Sequence, residues 1–183
     1  MASYDFESLT VLLVEDSPFI RSLLTNSLRV LGVGKIITKD HGGEAIEFLK
    51  LVKEDPMKAS CQGVDIIISN WQMSPVDGMM LLRWVRRHKD SPDRFVPFIM
   101  VSAFSGKARV SRAREMGVSE FLTKPFTIQA VCDKMILTIE KQRQFVHTGS
   151  YFGPDRRRQK LEYKAEERRV LKEGSPGVEV VRG

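Results

Sequence analysis

Cysteine is scarce in this chain of 183 residues: only Cys61 and Cys132 occur. Neither lies in a metal-type spacing, and two isolated cysteines do not make a disulfide framework. Reduced thiols are the expectation. No run approaches the roughly 18 apolar residues that cross a bilayer, so membrane insertion is not expected. Residues 1–9 lack a basic stretch followed by an apolar one, so no signal peptide is read there. No Gly-rich loop ends in Lys-Ser or Lys-Thr, which argues against a phosphoryl-transfer enzyme with its own nucleotide site. A cytoplasmic, non-enzymatic protein is the expectation.

What is present is charge and alternation. The formal net charge is +6. Residues 148–183 hold nine Lys/Arg and six Asp/Glu, and the other 147 residues hold 20 and 17, so each part carries +3. The excess is much denser in the tail. That favours an anionic partner, although a solvated, charge-rich extension is the plainer reading.

Short apolar, β-branched runs alternate with helical patterns. Thr10 to Val14 is a continuous apolar run that ends in Glu15-Asp16, as expected of a central parallel strand buried on both faces. Ser17-Pro18 starts a helix, with a capping side chain before a proline at its first position. Gly32 and Gly34 end it. Further strands are expected at 35–38, 64–69, 97–102 and 120–123. Helices are expected from Gly42 to near Pro56, around Met79 to Val85, over 106–116 and from Ile128 to Ile139. The last has its apolar residues at clean helical spacing. Five strand–helix units in strict alternation predict an α/β domain with a parallel sheet and helices on both faces.

In such sheets the site lies at the carboxyl ends of the strands. That rule nominates Glu15-Asp16, Ser69-Asn70, Ser102 and Lys124. Two adjacent carboxylates suit a hard divalent cation, most plausibly Mg²⁺. A lysine and a hydroxyl facing them suit a tetrahedral dianion. The set describes a phosphoryl-handling site with an amide, Asn70, where an acceptor is expected.

The segments Val11-Leu12-Leu13-Val14-Glu15-Asp16-Ser17, Asn70 to Gly78, Met100-Val101-Ser102-Ala103 and Phe121-Leu122-Thr123-Lys124-Pro125-Phe126 resemble the signature of the two-component response regulator receiver domain. The stand-alone chemotaxis regulator is the nearest familiar form. The resemblance covers residues 8–147 and leaves 148–183 as a basic C-terminal extension, partly helical or disordered. It implies a doubly wound (βα)5 flavodoxin-like sheet in the order 2-1-3-4-5. It implies that Glu15, Asp16 and the backbone carbonyl of Gln72 bind Mg²⁺. Ser102 is then the switch hydroxyl, Phe121 the aromatic switch, and Lys124 the phosphate contact, with a cis bond before Pro125. The implied partners are a sensor histidine kinase or phosphotransfer protein and a downstream protein target. A homodimer through the face of the fourth helix, fifth strand and fifth helix is also implied.

Asn70 departs from the family, which accepts phosphate on an aspartate. An amide oxygen is a far poorer nucleophile than a carboxylate, and loss of one negative charge weakens Mg²⁺ binding. Phosphate is therefore not expected at residue 70, and Ser69 and Ser74 have unsuitable geometry as substitutes. Two accounts stay open: a natural pseudo-receiver or an engineered block. The alternative function is a transcription-type regulator whose basic tail binds nucleic acid. No DNA-reading module fits the 36 residues of the tail, so nucleic acid is not the expected partner.

Elsewhere the plainer readings prevail. Asp65 starts its strand, Asp77-Gly78 is turn and capping chemistry, and Asp40, His41 and Glu44 form a loop and helix cap. Arg83, Arg86, Arg87, His88 and Lys89 read as a solvated basic face. Tyr151 to Arg158 is a compact motif after a linker at 148–150, and 156–173 reads as a charged helix.

Overall fold

The computed structural model describes residues 5–104, 106–140, 144–148, 152–155 and 179–181. Five strands build the main sheet: β1 (Thr10–Val14), β2 (Lys35–Lys39), β3 (Ile66–Asn70), β4 (Phe98–Ser102) and β5 (Glu120–Thr123). Between and after them run α1 (Pro18–Val30), α2 (Gly42–Glu54), α3 (Gly78–Arg87), α4 (Lys107–Glu115) and α5 (Ile128–Glu140). The strands pair in parallel in the order β2-β1-β3-β4-β5, as expected.

The sheet is buried on both faces, which is why its central strands read as unbroken apolar runs. Leu12, Val14, Ile67 and Phe98 face a core layer shared with Leu49, Leu81 and Leu82 of α2 and α3. Val11, Leu13, Ile68 and Val101 face a second layer shared with Leu24 and Leu28 of α1 and with Val131 and Met135 of α5. Alternate residues of one strand serve opposite layers, as the two-residue period of a strand requires.

Local signals match the helix ends. The Ser17 hydroxyl accepts from the Ile20 N–H, and Pro18 opens α1. Leu31 closes it and Gly32 follows at φ 83°. His41 Nδ1 accepts from the Gly43 and Glu44 N–H groups at the start of α2. Asp77 Oδ1 accepts from the Met80 N–H at the start of α3. Asp65 Oδ2 accepts from the Thr10 N–H at the far edge of the sheet, away from the strand ends that carry the site. Both cysteines are free thiols.

Two expectations need correction. Asn70 belongs to the last position of β3 and not to the following loop. Its pairing with Val101 of β4 extends the strand by one residue. Arg86 is not on a solvated face, for only 1% of its surface is exposed. Its Nε donates to Gly117 O, and its Nη1 donates to Arg94 O and Val96 O. A buried guanidinium is tolerated where carbonyls from several segments meet its fork of donors.

Past α5 the chain builds a second, smaller sheet. Phe145–His147 forms β6, which pairs antiparallel with β7 (Phe152–Pro154) and with β8 (Glu179–Val181). The boundary expected at residue 147 therefore falls between paired strands. Phe145 and Phe152 are buried against the body of the domain. Strands of three residues carry no readable periodicity, which is why the pattern missed them. Tyr151 and the charged helix expected over 156–173 lie outside the described residues.

The buried fork makes a prediction. Arg86→Ala strands three carbonyls, so it should lower stability by about 2–4 kcal/mol. Arg83→Ala, on the exposed side of α3, should change it by less than about 0.5 kcal/mol. Urea denaturation of both variants checks this, and equal midpoints would show that the fork contributes nothing.

Candidate functional site

The parallel sheet delivers the site residues to one edge. Glu15 follows β1, Asn70 ends β3, Ser102 ends β4 and Lys124 follows β5. Backbone hydrogen bonds extend the sheet through them. Glu15 N–H donates to Lys39 O at 3.0 Å, and Lys124 N–H donates to Ser102 O at 2.8 Å. The Lys124–Pro125 bond is cis, as the resemblance implies, and Ser74–Pro75 is cis as well.

At the centre stands the Asn70 side chain. Its Nδ2 lies 3.1 Å from Glu15 Oε1, 2.9 Å from Asp16 Oδ1 and 2.8 Å from Gln72 O. All three are acceptors, so the nitrogen must point towards them. The amide oxygen faces the other way and accepts from Lys124 Nζ at 3.2 Å. An amide nitrogen has two hydrogens for these three acceptors, so one hydrogen is shared.

Lys124 Nζ also donates to Glu15 Oε2 at 2.7 Å, in an ion pair whose side chains are 17% and 1% exposed. Burial pushes the Glu15 carboxyl above the usual carboxylate range, and the Lys124 ammonium opposes that rise. The Ser17 N–H steadies Glu15 Oε1 at 3.2 Å.

Two residues to which the sequence assigned no part in the site help to shape it. Arg21 Nη1 donates to Glu15 O at 2.8 Å and to Asp40 Oδ1 at 2.6 Å, tying the acidic loop to the one before α2. Its place one turn into α1 gave no signal, because the fork acts on a backbone oxygen. Gly78 lets α3 begin against β3, since an added Cβ would lie 2.2 Å from Asn70 O. The Asp77-Gly78 pair was legible as turn chemistry, but this close approach was not.

The remaining expected residues are nearby but differently engaged. The Ser102 hydroxyl is buried and accepts from the Phe104 N–H at 3.1 Å. Phe121 is half-buried and meets Trp71 edge-on, with ring centroids 6.3 Å apart. Trp71 is thereby a packed loop aromatic beside the site.

The acceptors around Asn70 Nδ2 are all oxygens: two carboxylates and a backbone carbonyl. That donor chemistry fits a hard divalent cation. Among the described residues no group of three or more His, Cys, Asp or Glu gathers elsewhere to hold a metal.

The response regulator receiver domain family matches residues 11–136. This chain belongs to that family. The receiver is 34% identical over 125 residues to a protein named as a chemotaxis protein CheY homolog of Campylobacter jejuni, covering 68% of this chain and 88% of that one. It is 32% identical to the chemotaxis protein CheY1 of Helicobacter pylori, covering 68% and 92%. Among solved structures it is similar to the receiver domain of a signal transduction histidine kinase from Syntrophus aciditrophicus. That match has 30% identity and a TM-score of 0.58, covering 73% of this chain and 93% of that one. The fold is shared with a sensor kinase receiver of Pseudomonas aeruginosa solved with magnesium in its active-site cleft, at 22% identity and TM-score 0.59, covering 72% and 98%.

The buried ion pair makes a prediction with a defined sign. Lys124→Met removes the charge that opposes the raised Glu15 pKa, so the folded pKa climbs further. A raised carboxyl contributes fully below its unfolded pKa and loses that contribution as pH rises through the folded pKa. The variant should therefore match the parent near pH 4 and fall about 1–3 kcal/mol below it near pH 8. Thermal denaturation across that range checks it, and a pH-independent difference would contradict the assigned role.

Proposed function

We propose that this chain is a stand-alone receiver in phosphorelay signalling that works by protein contacts and takes no phosphate at residue 70. The observation that carries the reading is the placement of Asn70 Nδ2 among Glu15 Oε1, Asp16 Oδ1 and Gln72 O. In this reading Asn70 stands at the phosphoacceptor position. Its amide oxygen is a poor nucleophile towards phosphorus, and it already accepts from Lys124.

Mg²⁺ binding is weakened for two reasons. An amide in place of a carboxylate leaves Glu15, Asp16 and Lys124 with a net charge of only −1. The amide N–H groups also occupy the point on which the acceptors converge, at 2.8–3.1 Å. A cation there would compete with the amide for the same three oxygens. When bound it would be held by Glu15, Asp16 and the Gln72 carbonyl, and would supply charge neutralisation to a phosphoryl group.

Ser102 and Phe121 take the switch roles and Lys124 the phosphate contact. The partners are a sensor histidine kinase or phosphotransfer protein and a downstream protein target, in the cytoplasm. The naming of relatives as chemotaxis proteins supports this setting. The face of α4, β5 and α5 is the surface for a target or a second copy. It is held together by Lys134 of α5, whose Nζ lies 3.0 Å from Glu120 Oε2 of β5. No reaction of its own is assigned to the chain. Nucleic-acid binding through the tail draws no support from the described tail residues, of which 152–154 are buried against the receiver.

The experiment compares the parent with Asn70→Asp. With acetyl phosphate and Mg²⁺, only the aspartate form should gain phosphate, seen as an added phosphoryl mass. That form should also bind Mg²⁺ at least about tenfold more tightly, since affinity follows ligand charge. Quenching of Trp71 fluorescence reads the binding. Stoichiometric, Mg²⁺-dependent phosphate on the parent at residue 70 would falsify the reading.

A further inference from the structure

The described part of the C-terminal extension is seated at the pole of the domain opposite Asn70. Phe152 of β7 packs against Phe95 and Phe145, with ring centroids 5.5 Å away in each case, and against His147 at 5.8 Å. The Arg94 guanidinium lies 3.5 Å from the centre of the Phe152 ring. The Asp155 N–H donates to Gln144 O at 2.7 Å and closes the hairpin.

This seat meets one particular element. Gly117, in the turn after α4, has φ 92° and lies beneath β7. A Cβ there would come within 3.0 Å of Phe152 O and 3.3 Å of Gly153 Cα. From the other side Arg86 Nε donates to Gly117 O at 3.1 Å, and the Arg86 guanidinium lies 5.4 Å from the Phe145 ring centre. The turn is thus held between α3 and the C-terminal sheet.

The helix before it has a small apolar anchor, with Ala113 and, just past its end, Met116 and Val118 in the layer shared with α2 and α3. α4 is short and polar, its N-cap is Gly106, and no side chain caps it. Of its described side chains, only Ala113 is fully buried in the core. A helix with so small an apolar contact depends on its ends for position.

We infer that β6 and β7 form a clamp on the C-terminal end of α4, so that release of these two strands loosens α4 while the rest of the main sheet stays intact. The aromatic contacts and the cation over Phe152 hold the clamp shut. The extension is then a conformational device that acts on one flank of the proposed partner face, from the pole that the phosphoryl site does not touch. The clamp stands independently of the reading of Asn70.

Amide hydrogen exchange on the full chain tests it, with Arg94→Gln and Phe152→Ala as two separate ways to open the clamp. Arg94 is exposed, so its variant leaves the core untouched. In both variants, exchange over 145–154 and over 107–117 should quicken by about tenfold, with 18–30 changed by less than about twofold. The clamp is overturned if 145–154 opens and 107–117 does not respond. It is equally overturned if 18–30 quickens in step, which is a general loss of stability. Undiminished protection of 145–154 in both variants would show that Phe152 and Arg94 do not seat the segment.

Discussion

Glu15 is a carboxylate in the interior, and a carboxylate there must be met by donors or lose its charge. Lys124 Nζ at 2.7 Å, Asn70 Nδ2 at 3.1 Å and the Ser17 N–H at 3.2 Å meet it. These three come from the ends of β5 and β3 and from the start of α1. Satisfying one buried group therefore joins three strand-end segments. The Asn70 amide donates to Asp16 Oδ1 and Gln72 O as well, so the same side chain serves both acidic residues.

The opposite pole is organised by a second buried charge. Arg86 reaches the carbonyls of Arg94, Val96 and Gly117. Its guanidinium also lies near Phe145, which belongs to the C-terminal sheet. From the end of α3, one side chain thus touches the approach to β4, the turn after α4 and the first residue of β6. The two poles differ in purpose. One gathers titratable groups around the Asn70 amide, and the other locks loops together with a fixed charge and aromatic rings.

How much of this was legible depends on the kind of signal. The central strands were plain, because a strand buried on both faces has no polar residue in it, as Val11 to Val14 and Ile66 to Ile68 show. The spacing from Ile128 to Ile139 marked α5 through its one-sided apolar stripe. The strand-end rule named Glu15, Asp16, Asn70, Ser102 and Lys124, and the fold brings all five to one edge. Arg86 was misread because a run of basic residues on a helix is usually solvated. Its burial depends on carbonyls offered by residues 94–117, and no local pattern shows those. The pairing of β6 with β7 and β8 was missed because each has only three residues and β8 lies far along the chain.

By itself, the sequence determined the alternation of strands and helices, the strand ends that carry chemistry and the absence of a carboxylate at residue 70. These follow from residue type and from periods of two and 3.6, which are local properties. Tertiary structure alone decided that the Asn70 amide turns its nitrogen towards the acidic pair and its oxygen towards Lys124. That orientation is set by which groups converge from three distant segments. Only the tertiary structure, too, decided that the tail returns to the domain. The contacts that seat it join Phe95, Phe145 and Phe152, which meet only once the sheet has formed.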